Sequence, residues 1–431
     1  MSLFTKKTPT EKSELFAALD IGASKICCAI ARVNNRISQD QYANRDNHSQ
    51  LRIVGVGYQV SRGIKAGKII DLEALEDSIL NAVHSAEQVA DQNINSVYVN
   101  LPAGAAVSHI VKTEIHLSGN AVNEMHLRRL LTINQGASVG LDQQVIHVLP
   151  LSYSLDSIQG VRDPRGMVGE KLSATLHVVS APISLIRNLT SCVGRCHLDI
   201  AGFVVPPYAS GLAILVEDEL ELGVTIVDLG GGNTTIASFH EGNLVYIASI
   251  PLGGSSITND IARGLAAPLS QAERLKTLYG TLIPSATDDR ENIMVTQMGE
   301  TDKTQAYQIP KGTLIHIIRS RVEEIFELVG EAMRTSPVDP VAYQRIVLTG
   351  GTSQLQGIRE MASQILGKQV RLGQPNGLIG TSDIISSPTF STCAGLLQYG
   401  LQDYSGNQIA RITTGRSQVW QRLNLWIKEN F

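Results

Sequence analysis

The chain has 431 residues, with 36 Lys+Arg against 40 Asp+Glu and a net charge of −4. At about 100–200 residues per domain, this length implies two or more domains, each able to bury a core. A hydrophobic fraction of 43% with 18% charge excludes a disordered or fibrous chain, and the charge balance gives no general reason to bind nucleic acid. Both tryptophans, Trp420 and Trp426, stand in the last twelve residues, where a globular core would not place them.

The five cysteines (Cys27, Cys28, Cys192, Cys196, Cys393) are odd in number and scattered, which fits a reducing cytosol rather than a disulfide framework. Cys192 and Cys196-His197 lack a second ligand pair, so small buried side chains are the expectation there. The start, MSLFTKKTPTEKSELF, has no apolar core of a signal peptide. No run of 18 apolar residues offers a spanning helix, so the reading is a soluble cytoplasmic body unless something attaches it to a surface.

In chain order, Leu15–Leu19 reads as a strand, Asp20–Ser24 as a tight Gly turn and Lys25–Val33 as a returning strand. A polar loop (34–50) precedes a strand over Leu51–Val60. Leu72, Leu75, Ile79, Val83, Ala86 and Val89 recur at helical spacing, predicting an amphipathic helix over 72–91. Alternation from Val107 to Leu117 predicts a strand. A helix near 121–133 and a strand near 144–155 follow, and the block at about 95–165 reads as an insertion. A second strand–turn–strand unit starts at Gly223, with Asp228 where the first has Asp20, 208 residues apart. That matched layout predicts two related halves facing each other.

DIGASK (20–25) and DLGGGNTT (228–235) share one chemistry. Gly22, Gly230, Gly231 and Gly232 let the backbone approach a polyphosphate, with N–H groups turned to its oxygens alongside Ala23, Asn233 and Thr234. Ser24 and Lys25 can contact phosphate directly. Asp20 and Asp228 can hold the water shell of Mg²⁺. Each motif alone reads equally as an ordinary turn; the pair favours the phosphate site. LTGGTSQL (348–355), with Gly350, Gly351, Thr352 and Ser353, lies between a strand at Arg345–Leu348 and a helix expected over Gln354–Leu366. Gly253 and Gly254 stand at a helix N-terminus, where the dipole favours an anion. Glu273 and Lys276 share one helical face and could hydrogen-bond a ribose or simply pair with each other.

With these residues in place, the chain resembles the actin/Hsp70/sugar-kinase superfamily and, within it, the FtsA family of bacterial cell-division proteins. LDIGASKI and VDLGGGNTTIA match the two phosphate motifs, VLTGGTSQLQGI the adenosine motif, and PYASGLAIL and STCAGLLQYG the two connecting helices. IPLGGSSITNDIARGL with AERLK, and IHIIRSRVEEIFELV, match FtsA more closely than other branches. The resemblance implies an α/β, actin-like (ribonuclease H-like) two-domain fold with a relocated small subdomain and a C-terminal amphipathic helix. It divides the chain into an N-terminal tail expected to be flexible (1–13), a first core half (14–94), the inserted subdomain (95–165) and the rest of that half with its connecting helix (166–215). The second half follows (216–274), then its small subdomain (275–335), the adenosine-motif part (336–388) and the second connecting helix (389–402). A linker (403–416) and a membrane-targeting helix (417–431) end it.

Two departures stand out. The family's second loop usually continues Gly-Thr-Thr-Asp after its first two glycines, whereas here Thr235 takes the place of that Asp. Pro206-Pro207 stands where hydrolysing relatives carry a water-orienting Glu or Gln, so ATP binding is expected with weak or absent hydrolysis.

In the tail SQVWQRLNLWIKENF, Val419, Trp420, Leu423, Trp426, Ile427 and Phe431 share one helical face. Arg411, Arg416, Arg422 and Lys428 against Glu429 give this end +3 and leave −7 for the rest. A helix this short needs a surface, and interfacial tryptophans with basic residues suit anionic lipid; docking on the protein itself or on a partner groove is the alternative. The resemblance implies a filament-forming, ATP-binding scaffold that ties the tubulin-like division protein FtsZ, by its C-terminal tail, to the inner face of the cell membrane at the septum and recruits later division proteins. A type IV pilus assembly ATP-binding scaffold and a small-molecule kinase of the same superfamily are the other readings. The kinase lacks an evident carboxylate base.

Overall fold

A computed structural model describes residues 15–33, 51–65, 67–133, 139–296, 306–336, 343–380 and 384–405. The terminal tail at 1–13 and the helix expected over 417–431 lie outside the described residues.

The first half opens with β1 (Leu15–Ile21), β2 (Lys25–Val33) and β3 (Leu51–Val60), continues through the short hairpin β4 (Ile64–Lys65) and β5 (Lys68–Ile69) to α1 (Leu72–Ala90), and reaches β6 (Ser96–Asn100). β1 and β2 are buried on both faces, hence their nearly unbroken apolar runs. β3 alternates because α1 covers one face only. The chain then forms β7 (Val107–His116), α2 (Glu124–Thr132), β8 (Gln143–Leu155), β9 (Ile158–Val161) and β10 (Lys171–Pro182). It returns through α3 (Ile183–Arg195), β11 (Asp199–Val204), α4 (Pro206–Ile214) and α5 (Glu217–Leu222).

The second half runs β12 (Val224–Leu229), β13 (Thr234–His240), β14 (Asn243–Ile250), α6 (Gly254–Gly264), α7 (Leu269–Tyr279), β15 (Asn292–Val295), β16 (Tyr307–Pro310), α8 (Lys311–Arg334), β17 (Arg345–Thr349), α9 (Ile358–Leu366) and β18 (Gln369–Leu372). β19 (Leu378–Gly380) and α10 (Ser391–Ser405) complete the described chain.

The strand orders are β11-β6-β1-β2-β3-β19 and β14-β13-β12-β17-β18. In each sheet an antiparallel three-strand meander is extended by a parallel strand beside the one that carries the Asp: β6 beside β1, and β17 beside β12. The duplicated layout read from Asp20 and Asp228 is therefore a duplicated sheet topology. α4 and α10 pack against each other between the sheets. Their approach depends on Gly395, where a Cβ would stand 1.7 Å from the Ala209 carbonyl oxygen.

Three readings change. Ser96–Asn100, expected inside the insertion at 95–165, pairs in parallel with both β1 and β11 and belongs to the first sheet. The inserted sheet, β7-β10-β8-β9, instead takes in Lys171–Pro182 as an inner strand, beyond the expected limit. The helix expected over Gln354–Leu366 is a 3₁₀ turn at Gly351–Gln354 followed by α9, because Gly357 takes a left-handed φ of 86° between them.

The insert has its own core on the α2 side. Its other face contacts both halves. Ile146, Val179 and Ala181 join the core of the first half, His147 contacts α4 and α10, and Asn243 at the start of β14 donates to the Leu151 carbonyl at 3.5 Å. No described helix is long and apolar enough to cross a membrane.

Candidate functional site

A cleft of about 930 Å³ opens between the two sheets at the turns that follow β1 and β12. Each turn is closed by the same backbone hydrogen bond, Gly22 N–H to the Lys25 carbonyl at 3.0 Å and Gly230 N–H to the Asn233 carbonyl at 3.1 Å. The turns face each other closely: a Cβ on Gly231 would stand 1.8 Å from Ser24 Oγ. Asp20, Gly22, Ala23, Ser24 and Lys25 line one wall, and Asp228, Gly230, Gly231, Gly232 and Asn233 the other. Gly254, Glu273, Lys276, Gly350, Gly351 and Thr352 line the remainder.

Three of the expected residues stand behind the wall. Thr234 is fully buried and donates to the Leu252 carbonyl at 2.8 Å. Ser353 donates to the Gly350 carbonyl at 2.7 Å. Gly253 packs its backbone on Gly230 and Gly231. The anion site expected at the α6 N-terminus is also committed elsewhere: Gly254 N–H and Ser255 N–H donate to the carbonyls of Gly230 and Gly231, at 2.9 and 2.7 Å. The helix thus braces the second turn.

The electrostatics are those of buried acids. Burial pushes the Asp20 carboxyl up to about 6, against the pull of Lys25 and with a further push from Asp228. Asp228 is also raised by burial, opposed by hydrogen bonds from Ser210 and Thr392 and by Lys25. Burial lowers the Lys25 ammonium, which Asp20 draws back up. Lys25 Nζ donates to the Thr389 carbonyl and stands 3.2 Å from the Phe390 ring centroid, so this lysine also ties the first turn to the segment leading into α10.

Glu273 and Lys276 line the cleft and pair with each other, Nζ to Oε2 at 2.7 Å. Lys276 also donates to Thr258 Oγ1 at 2.8 Å and to the Gly254 carbonyl at 3.1 Å, fastening α7 to α6. Asn233 reaches across to the first half: a Cβ on Gly104 would lie 3.0 Å from its Nδ2. Pro206 lines the cleft at the start of α4, and Thr235 is buried beside Asn233. Among residues that sequence reasoning passed over, Asn100 accepts Ile21 N–H at 2.6 Å, and Ser210 and Thr392 reach Asp228. Their one signal was a hydroxyl or amide inside an otherwise apolar buried element. Val419, Trp420, Arg422, Leu423, Trp426, Ile427, Lys428 and Phe431 lie outside the described residues.

A family model described as "Cell division protein FtsA" matches residues 225–395, and one described as "SHS2 domain inserted in FTSA" matches 104–180, the span of the inserted sheet. The cell-division protein FtsA of Rhizobium meliloti is 39% identical over 430 residues, covering 99% of this chain and 97% of the relative. The chain belongs to the FtsA family. FtsA of Pseudomonas aeruginosa is 34% identical, over 98% of this chain and 99% of its own, and that of Escherichia coli K12 is 29% identical, over 97% and 98%. Among solved structures, the PilM-PilN type IV pilus biogenesis complex superposes with a TM-score of 0.62 at 15% identity, over 90% of this chain and 98% of the matched chain. MreB5 of Spiroplasma citri bound to ADP gives 0.53 at 14%, over 91% and 99%. These structures show an actin-like fold, and FtsA membership makes this a cell-division protein rather than the pilus scaffold or small-molecule kinase also considered.

Proposed function

We propose that this FtsA-family chain binds ATP with Mg²⁺ in the cleft, polymerises into actin-like filaments, and tethers FtsZ through that protein's C-terminal tail to the inner face of the cell membrane at the septum. The observation that carries the nucleotide part is the pair of opposed Gly turns, each preceded by a buried carboxylate. Asp20 and Asp228 fit a hard cation: both donors are oxygen, and one half-buried lysine stands against two buried acids. Among the described residues no group of three or more His, Cys, Asp or Glu could cage a metal, which suits an ion that takes its other ligands from water and phosphate. When bound, Mg²⁺ neutralises phosphate charge. The chain's own part is to hold that ion's waters through Asp20 and Asp228, to place Ser24 and Lys25 against phosphate, and to bracket the nucleoside between Glu273, Lys276 and the Gly350–Ser353 turn. Pro206 has no group that could orient an attacking water, and Thr235 brings no carboxylate to the second turn, so hydrolysis is weak or absent.

Residues 417–431 lie on the membrane through their Trp-bearing face, and many weak anchors along one filament add by avidity. The FtsZ tail docks in the small subdomain of the second half, about 275–335, and later division proteins engage the insert. Electron microscopy on anionic lipid monolayers tests assembly: filaments with MgATP are expected, and their absence across ionic conditions refutes it. Truncation after residue 416 is expected to abolish liposome co-sedimentation, and unchanged binding removes the membrane role of the tail.

A further inference from the structure

The two helices that join the halves meet on one carboxylate. Ser210, on α4 and without solvent exposure, donates its hydroxyl to Asp228 Oδ2 at 2.8 Å. Thr392, in the first turn of α10, lies 3.0 Å from Ser210 Oγ and 3.5 Å from the same Asp228 oxygen. Each hydroxyl has one proton. The shorter, charge-assisted contact takes the proton of Ser210, and Thr392 Oγ1 stands within reach of both Ser210 Oγ and the carboxylate, so its proton serves Asp228 directly or through Ser210. The carboxylate's other oxygen is held against Gly350: a Cβ there would stand 2.4 Å from Asp228 Oδ1. The neighbouring Ser391 Oγ lies 2.6 Å from Thr349 Oγ1, on the strand that pairs with β12 at Asp228. Both helices are therefore registered on the carboxylate by hydroxyls, at the crossing where Gly395 lets their backbones touch.

We infer that Ser210 and Thr392 are positioning residues that orient Asp228 toward the hydrated Mg²⁺ of the bound nucleotide and pass the occupancy of that site to the α4–α10 crossing. This rests on the nucleotide reading above and deepens it. A carboxylate that gains a cation partner pulls on its donors differently from one facing bare solvent. Because the donors sit on the connecting helices, the change is delivered where the two halves articulate.

The test compares the full chain with Ser210→Ala, Thr392→Val and Thr392→Ser, using a fluorescent ATP analogue with Mg²⁺ and with EDTA. The alanine and valine variants are expected to bind the Mg²⁺ complex about tenfold more weakly, with less than twofold change in EDTA, while Thr392→Ser keeps wild-type behaviour. Hydrogen exchange over 206–214 and 391–405 is expected to slow on adding MgATP in the wild type, but not in the alanine and valine variants. Equal losses with Mg²⁺ and EDTA, or wild-type affinities in both variants, overturn the inference. A wild-type chain that binds no better with Mg²⁺ than with EDTA overturns the metal part of the proposed function as well. Should Ser210→Ala fail to fold, the Thr392→Val and Thr392→Ser pair carries the same discrimination.

Discussion

Acidification should release the insert from the body of the molecule by charging two buried histidines. His147 on β8 has no solvent exposure; its Nε2 accepts the Val205 N–H at 3.3 Å, and its ring lies 5.5 and 5.9 Å from those of Tyr208 and Tyr399. His177 on β10 faces the Leu244 backbone of β14, with His109 of β7 nearby. Burial pushes His147 down to about 3, with His177 adding to the effect, and burial pushes His177 down to about 4. An unfolded histidine titrates near 6.5. Between about pH 6.5 and 4 the unfolded chain therefore holds two protons that the folded chain refuses. The contribution is fully present above pH 6.5 and falls by about 1.4 kcal/mol per pH unit for each histidine as pH drops. Together they cost about 4 kcal/mol between pH 6.5 and 5. Asp20, raised to about 6, works in the opposite sense below that pH, but it lies in the cleft and cancels when variants are compared. His147→Gln keeps a side-chain acceptor for Val205 and removes one titration. Urea midpoints at pH 7, 6 and 5 should show the variant losing less stability on acidification, by about 0.7 kcal/mol from pH 7 to 6 and about 1.2 kcal/mol from pH 6 to 5. Parallel pH profiles for variant and wild type would refute the reasoning.

Gly395→Ala gains about 1 kcal/mol of helix propensity, yet its Cβ would meet the Ala209 backbone, which cannot rotate away. A net loss of about 2 kcal/mol is expected in urea denaturation, and an unchanged or raised midpoint contradicts the close crossing. Gly231→Ala sets a Cβ 1.8 Å from Ser24 Oγ and 3.0 Å from Ser24 Cβ. It should weaken ATP-analogue binding severalfold while changing the urea midpoint little. Ser24→Gly alone should weaken binding by loss of its phosphate contact, and adding Gly231→Ala to it should cost nothing further, because the clash is gone; a further loss as large as that of Gly231→Ala alone shows that the two turns do not meet at this point.

The two Asp–Gly hairpins were legible because their signal is local. An apolar strand ending in Asp and a glycine turn lies within ten residues, and its recurrence 208 residues later points to duplication without any knowledge of packing. The membership of β6 and β10 was not legible. SVYVN and KLSATLHVVSAP carry strand patterns, but which sheet each joins depends on partners far away in the chain: Ala18 for Tyr98, and Thr113 and Tyr153 for Ala174. The α6 N-terminus shows the same limit from the other side. A free helix end favours an anion, and only the folded chain reveals that Gly254 and Ser255 already serve the carbonyls of Gly230 and Gly231.

Sequence by itself determined the family, the two opposed Gly turns with Asp20 and Asp228, and the amphipathic pattern of the last residues, because each is written in short-range spacing. Tertiary structure decided that Ser210 and Thr392, 182 residues apart, share one carboxylate, and that the insert leans on both halves through His147 and Asn243. Those contacts exist only once two helices have crossed, and a hydroxyl in an apolar helix gives no sign of its partner until the partner's strand has been brought beside it.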